Sequence, residues 1–371
     1  MSSGAWRFAL VLGGGGMRGL AHVGALRALT ERGLVPAEIV GTSIGSLLGA
    51  VWATDEYSVG EMEEIALNLE RRDIFQIAHA DMALKRMRTP AIYKAEPLRE
   101  LLAGLLGEAR LKDLKRRLII NSVDINSGSQ VFWGLPGLDE VRAADAVYAS
   151  CALPGFFPPK DIGGRHFVDG AIVDNLPVHL AVSRGVDGVV AVNVGSSSVL
   201  RADTQEAGFA SVYMRGSEIV FQQAMEANLT GWTRPPLLLV LPRVEHIPMM
   251  SFDHTRELLD EGYRATSAAL DAAGEAVRTA DGGIHPRRHV RITVSRERCI
   301  GCGACVSLAP SLFFMDGSGK AVGPDYVCEW SPMDGGFIRH CPTFAITARP
   351  VQPAARVSKG GASKGTARGS A

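Results

Sequence analysis

Two glycine-rich turns, each set after a short apolar run and before a helix-like segment, constrain this chain more than any other feature. The first is Gly13 to Gly19 (GGGGMRG), which follows Phe8 to Leu12 and leads into Leu20 to Arg32. The second is Gly41 to Gly45 (GTSIG), which follows Ile39-Val40 and leads into Ser46 to Ala53. Strand, loop, helix, strand, elbow, helix is the pattern of a parallel sheet, because parallel neighbours need a crossover connection. With 371 residues and 46% hydrophobic content, the chain has ample material for a sizeable core and a length that suits two or three domains.

In a G-x-S-x-G turn the glycines allow a sharp strand-to-helix bend that throws the serine hydroxyl outward at a helix N-terminus. Here that serine is Ser43. The same pattern also arises as an ordinary tight turn, and a serine nucleophile further requires a base and donors aimed at the tetrahedral oxygen. The N–H groups of Gly14, Gly15 and Gly16 are candidate oxyanion donors. Gly14, Gly16 and Gly19 equally satisfy G-x-G-x-x-G, the dinucleotide-binding fingerprint. That rival expects an acidic residue at the end of the next strand, roughly twenty residues on, to hold the ribose. After Ile39-Val40 stand Gly41, Thr42 and Ser43, and Glu38 precedes the run, so the ribose carboxylate is missing.

The nine histidines are scattered, and Ser43 comes too early for the serine, acid, histidine order of an α/β-hydrolase. His166 reads as a surface or strand residue. Asp169, in RHFVDGAIVDNLP, is the better candidate base, since it ends an apolar pair at a strand terminus. Asp-Gly is also a common turn.

Taken together, these turns resemble the patatin-like phospholipases over much of residues 6 to 200. The glycine block with x-Arg-Gly is Gly14 to Gly19 including Arg18, the elbow is Gly41 to Gly45, and the Asp-Gly block is Asp169-Gly170. A fourth block is Ala149 to Pro154 running on to Phe156-Phe157-Pro158. Gly13 stands where plant patatins carry an aspartate, and the three glycines after it are intact. The resemblance implies a three-layer α/β sandwich around a mainly parallel sheet. It also implies a serine–aspartate dyad without histidine, in which Asp169 takes the proton of Ser43 and later activates water. Gly19, Gly41, Gly45 and Gly170 would support the motifs. An ionised aspartate is a weak base, so partial burial beside the serine would have to raise its basicity.

Near the C-terminus stand Cys299, Cys302 and Cys305, then Cys341-Pro342. C-x2-C-x2-C with a remote Cys-Pro is the ligand spacing of an iron–sulfur cluster. A two-cluster run would place Cys-Pro four residues after Cys305, where Ala309-Pro310 stands, and would need cysteines at Ser331, Asp334 and Phe337. One [4Fe–4S] cluster is therefore expected, with a four-cysteine zinc site and disulfides as the competing readings. The stretch from His289 to Arg349 resembles a single-cluster bacterial-type ferredoxin, a small α+β fold, and includes a strand at His289 to Val294. Cys151 and Cys328 fall outside the ligand set and read as small buried hydrophobes.

Lys+Arg and Asp+Glu both number 39, so no global charge draws the chain to nucleic acid or anionic membrane. Lys85, Arg86 and Arg88 form a local basic cluster, read as a solvated loop ahead of a lipid-headgroup contact. No run reaches the roughly 18 apolar residues of a membrane span, and Phe8 to Leu12 is too short for a signal segment. A cytoplasmic protein that meets its lipid ester at a membrane or micelle interface is expected. The cluster suits a reducing compartment and leaves room for a redox partner.

Leu118 to Val123, Val189 to Val194 and Leu237 to Leu241 read as buried parallel strands. Pro97 to Leu106 reads as a core-facing helix and 252–280 as a closing helix, before a linker at Asp281-Gly282-Gly283 and Pro286. Leu47, Leu48, Phe156 and Phe157 are candidate walls of an acyl pocket. The expected domains are an acyl hydrolase at 1–285, a [4Fe–4S] module at 286–350 and a disordered basic tail at 351–371. The leading functional expectation is a phospholipase A or lysophospholipase type hydrolase with an attached redox module. The alternative is a redox-sensing or electron-transfer protein whose α/β part serves mainly as a lipid-binding module.

Overall fold

The computed structural model describes residues 6–79, 91–195, 208–279 and 281–351. The basic cluster Lys85, Arg86 and Arg88 and the tail beyond Pro353 lie outside the described residues. The chain forms two compact units, Met1–Arg287 with Ser331–Asp334, and Arg288–Trp330 with Gly335–Ala371.

Among the described residues the first unit has nine strands: β1 (Phe8–Leu12), β2 (Glu38–Thr42), β3 (Leu118–Asp124), β4 (Gln130–Trp133), β5 (Lys160–Ile162), β6 (Arg165–Asp169), β7 (Gly188–Val192), β8 (Leu237–Val240) and β9 (Ile284–His285). The hydrogen-bonded path through the sheet is β5-β6-β3-β2-β1-β7-β8-β9, with β4 on β3. The pairings from β3 through β2, β1, β7 and β8 to β9 are parallel. Those that add β4, β5 and β6 are antiparallel. The result is a mixed, mainly parallel α/β sheet.

Side chains alternate across β1, as a strand requires. Phe8, Leu10 and Leu12 enter one buried layer, and Ala9 and Val11 the other. The first layer is closed by α1 (Ala21–Glu31), α2 (Ile44–Thr54) and the helix Thr255–Ala273. The second is closed by Val178 and Ala181 of one helix and Met225 and Leu229 of the helix Phe209–Leu229. α1 and the helix Thr255–Ala273 touch backbone to backbone: a Cβ at Gly24 would collide with the Leu259 carbonyl, and one at Gly262 with the Ala21 carbonyl.

The strands expected from sequence appear at nearly the expected bounds, with β2 starting one residue early at Glu38. The expected linker differs. After Asp281 the chain first adds β9 to the sheet edge, because the Gly283 N–H reaches Thr233 O at 2.7 Å and the Leu237 N–H reaches Gly283 O at 2.9 Å. The helix Phe209–Leu229 has no counterpart in the sequence reading. Its apolar residues lie on two sides, Val212, Ile219 and Val220 exposed and Met225 and Leu229 buried, so no single amphipathic stripe marks it.

The second unit is a three-stranded antiparallel sheet in the order β13-β10-β14 with a two-stranded hairpin, β11 with β12. Its strands are β10 (Arg288–Val294), β11 (Phe314–Met315), β12 (Ala321–Val322), β13 (Val327–Trp330) and β14 (Ile346–Pro350). Val290, Ile292, Phe313, Trp330, Phe337 and Ile346 form its core together with four cysteines, Cys299, Cys305, Cys328 and Cys341.

Candidate functional site

Ser43 sits between β2 and α2 with φ 54° and ψ −127°, in the left-handed region that a non-glycine residue avoids. Packing enforces that conformation. A Cβ at Gly41 would stand 2.5 Å from Ser46 Cα, and one at Gly45 would collide with the Leu12 carbonyl. The Ser43 N–H donates to Ser150 Oγ at 2.9 Å, and its carbonyl accepts from Ser46 N–H at 2.8 Å and Ser46 Oγ at 2.6 Å. The serine is therefore held at the N-terminus of α2, where negative charge is favoured.

Strand register brings the second carboxyl to it. On β3, Asn121 pairs with Thr42 of β2 on one edge and with Phe132 of β4 on the other. Ser122 pairs with Val131 of β4 and with Asp169 of β6. β6 thus takes over the edge of β3 at the residue where β2 leaves it. Its last residue, Asp169, arrives where Thr42 hands over to Ser43.

Asp169 is buried, accepts the Ala171 N–H at 2.9 Å and takes a hydrogen bond from Ser43. Burial pushes its carboxyl up to about 6, against the opposing pull of those two hydrogen bonds. Burial likewise raises the Cys151 thiol, helped by the nearby Asp169 charge, while hydrogen bonds with Ser46 and Ser43 oppose it. His166 is half-exposed, 3.8 Å from Asp161, and does not line the pocket.

The glycine loop lies beside the serine after β1. The Gly14 N–H is taken by Asn175 Oδ1 at 2.9 Å, whereas among the described residues none accepts the Gly15 or Gly16 N–H. Gly15 and Gly16 line the same pocket as Ser43 and Asp169. Arg18 is buried and braces the loop from behind, with Nε on Ile247 O at 2.5 Å, Nη2 on Glu245 O at 3.1 Å and Nη1 paired to Glu218 at 2.9 Å. A Cβ at Gly19 would collide with Ile44, and one at Gly170 would stand 2.5 Å from the Asn121 amide. The pocket has a cavity volume of about 100 Å³ and opens to the surface. Its walls are apolar, with Leu47, Phe75, Phe156, Phe157, Met214 and Phe221 prominent. Leu48 is not among them.

In the second unit, Cys299, Cys302, Cys305 and Cys341 line one small cavity. Backbone N–H groups point at two of the sulfurs, Ala345 to Cys341 at 3.2 Å and Ala321 to Cys299 at 3.4 Å. Burial raises the Cys341 thiol, but the Ala345 bond, with others from Thr343 and Ile346, outweighs it and lowers the thiol overall. Among the described residues no three His, Cys, Asp or Glu side chains close on a single metal ion. A cubane cluster spreads its four thiolates over four irons, so four sulfurs around a common cavity, with N–H donors to sulfur, fit that group. Cys328 stays outside, buried on β13.

Comparison with known proteins follows this division. The Patatin-like phospholipase family model matches residues 10–182, the stretch that contains the glycine loop, the elbow and Asp169. Residues 10–182 are thus similar to the patatin-like phospholipases. The 4Fe-4S single cluster domain model matches residues 292–326. An uncharacterized NTE family protein of Mycobacterium tuberculosis is 30% identical over 191 residues, 52% of this chain and 50% of that protein. Lysophospholipase NTE1 of Candida glabrata is 34% identical over 196 residues, 50% of this chain and 10% of that protein. The chain thus spans half or less of the length of these relatives. VipD from Legionella pneumophila aligns over 71% of this chain and 67% of its own, at 17% identity and a TM-score of 0.40.

Three residues of the patatin-like domain that sequence reasoning did not assign take part in the site. Asn175 holds the glycine loop, Ser150 holds the elbow, and His22 lies beneath the loop with Nε2 2.7 Å from Gly13 O. Ser150 and Asn175 stand inside quoted motifs, but each is a small polar residue whose partner is far away in the chain, so spacing could not reveal its role. No helix among the described residues is long and apolar enough to cross a membrane.

Proposed function

We propose that the patatin-like domain is a lipid acyl hydrolase of the phospholipase A or lysophospholipase type, working through Ser43 and Asp169. One observation carries this reading: a buried carboxyl, raised to about 6, meets the hydroxyl of a conformationally strained elbow serine inside an apolar pocket. A general base is most useful when its pKa lies near the working pH. The name of the fungal relative, a lysophospholipase, agrees with the substrate class.

In this reading the acyl chain lies along Phe156, Phe157 and Leu47 with its ester carbonyl over Ser43. Asp169 accepts the Ser43 proton as Oγ attacks, forming a tetrahedral oxyanion. The N–H groups of Gly15 and Gly16 and the N-terminus of α2 stabilise that charge. Collapse expels the alcohol, which takes the proton back from Asp169, and leaves an acyl-serine. Asp169 then deprotonates water for the second half-reaction. His166 takes no part.

The test is hydrolysis of phospholipids, lysophospholipids, acylglycerols and short aryl esters by the wild type and by Ser43→Ala, Asp169→Asn and His166→Ala. Loss in the first two and full activity in the third is expected. Turnover that survives Ser43→Ala would overturn the dyad, and inertness of the wild type towards every ester would favour the lipid-binding alternative.

Cys299, Cys302, Cys305 and Cys341 would hold one [4Fe–4S] cluster in the second unit, and such a group supplies one-electron transfer when bound. The chain's own contribution is the two N–H···S contacts and the apolar shell of Val294, Ala321 and Ile346 around the thiolates. Thiolate ligation of this kind fits a reducing, cytoplasmic setting with a redox partner.

A further inference from the structure

His22 is wholly buried with its Nδ1 unpartnered, yet it lies far too deep to touch substrate. Its Nε2 is 2.7 Å from Gly13 O. An acceptor carbonyl at that distance fixes the tautomer, with the proton on Nε2. Burial lowers its pKa to about 4, so the ring stays neutral and keeps that single proton in place. On the next residue, the Asn175 amide grips both polar atoms of Gly14: Oδ1 accepts its N–H at 2.9 Å and Nδ2 donates to its carbonyl at 3.1 Å.

These contacts act on consecutive peptide planes. The Gly13–Gly14 plane is held at its oxygen by His22 and at its N–H by Asn175. The Gly14–Gly15 plane is held at its oxygen by Asn175, and the opposite end of that plane is the Gly15 N–H. A peptide group is rigid and planar, so fixing its carbonyl fixes the direction of its N–H. Neighbours also pack tightly on the loop, since a Cβ at Gly14 would stand 2.7 Å from Asn175 Oδ1 and one at Gly15 2.8 Å from Val194 Cγ2. Glycine has no intrinsic preference for one peptide orientation. The loop therefore borrows its orientation from its neighbours.

We infer that Asn175 and His22 are positioning residues that lock the peptide planes of the glycine loop and so aim the Gly15 N–H at the oxygen that develops charge over Ser43. Asn175 belongs to the loop that begins at Asp169, so one segment carries both the base and the device that orients the oxyanion donor. This inference rests on the proposed hydrolase function and deepens it.

The experiment uses the full chain, with a short aryl ester as substrate and a trifluoromethyl ketone as a reversible oxyanion-forming inhibitor. Asn175→Asp keeps the acceptor for Gly14 N–H but sets a carboxylate oxygen against the Gly14 carbonyl. His22→Leu removes the donor to Gly13, and His22→Gln returns an N–H near the position of Nε2. Asn175→Asp and His22→Leu are expected to lose about a hundred-fold in kcat, the loss typical of one oxyanion donor, with KM little changed. Affinity for the ketone should fall in parallel. In the His22 variants the pH midpoint should stay near that of the wild type because Asp169 is untouched and no charge is added, and His22→Gln should recover most of the rate. Unchanged kcat in the variants, a rise in KM alone, or a shifted pH midpoint in the His22 variants would overturn the clamp while leaving the hydrolase standing. Should Asn175→Asp not fold, the His22→Leu and His22→Gln pair decides the same question. A wild type with no ester turnover would instead sink the proposed function.

Discussion

Ser150 Oγ accepts the backbone N–H of Ser43 at 2.9 Å and donates to the Asn121 carbonyl at 2.6 Å. One hydroxyl on the helix Ala143–Cys151 thus ties the elbow to β3, the strand whose Ser122 pairs with Asp169 of β6. Ser150→Ala leaves a buried N–H and a buried carbonyl without their partner, which costs about 2 kcal/mol. Urea denaturation should show that loss, and kcat should fall because the elbow is no longer held from behind.

The strained backbone at Ser43 separates stability from activity. Ser43→Ala keeps the positive φ of 54° and its cost, whereas Ser43→Gly removes it. Both variants lose hydrolysis, but Ser43→Gly is expected to exceed Ser43→Ala in stability by about 1 kcal/mol, the low end for a relieved backbone outlier. Equal stability by chemical denaturation would show that the elbow is not strained.

Asp169 predicts the pH behaviour. Its folded carboxyl titrates near 6 because burial disfavours the charge, well above the ordinary aspartate value of 3.8. The dyad needs the ionised form, so kcat should rise as pH increases through about 6 and level off above it. Stability runs the other way. A raised carboxyl favours the folded state below the unfolded pKa, and this contribution is lost as pH rises through the folded pKa. Asp169→Asn should therefore be more stable than the wild type at pH 8, by on the order of 2 kcal/mol, with the gap closing towards pH 4. Denaturation of both proteins across that range measures it, and a gap that widens on acidification would reverse the assignment.

The second unit makes a metal prediction. Protein purified without oxygen should be brown and contain about four irons per chain with labile sulfide in equal amount. Replacing Cys302 or Cys341 with Ser should remove the colour, and Cys328→Ser should keep it. Zinc in stoichiometric amount with no iron would end the cluster reading.

Much of this site was legible in the sequence because its signals are local. The glycine loop and elbow each follow one strand and precede one helix, so Gly14 to Gly19 and Ser43 could be placed on turns before any fold was known. The run from Cys299 to Cys305 is likewise a single loop whose spacing carries its chemistry. The antiparallel strands β4 and β5 were not legible, since they are short and partly exposed, whereas the buried end of β6 was, at Phe167-Val168-Asp169. Nor was the edge strand Ile284–His285, because two residues carry no periodicity and only the waiting edge of β8 makes them a strand.

By itself the sequence determined the chemical groups: an elbow serine, a loop of free-turning glycines, an aspartate at a strand end and four cysteines. Tertiary structure alone decided how they act. The shared edge of β3 brings Asp169 to Ser43, and burial there raises its pKa. Asn175 claims the Gly14 N–H, which leaves Gly15 and Gly16 to face the pocket. Such roles depend on register, burial and long-range hydrogen bonds, and these exist only once distant segments have packed together.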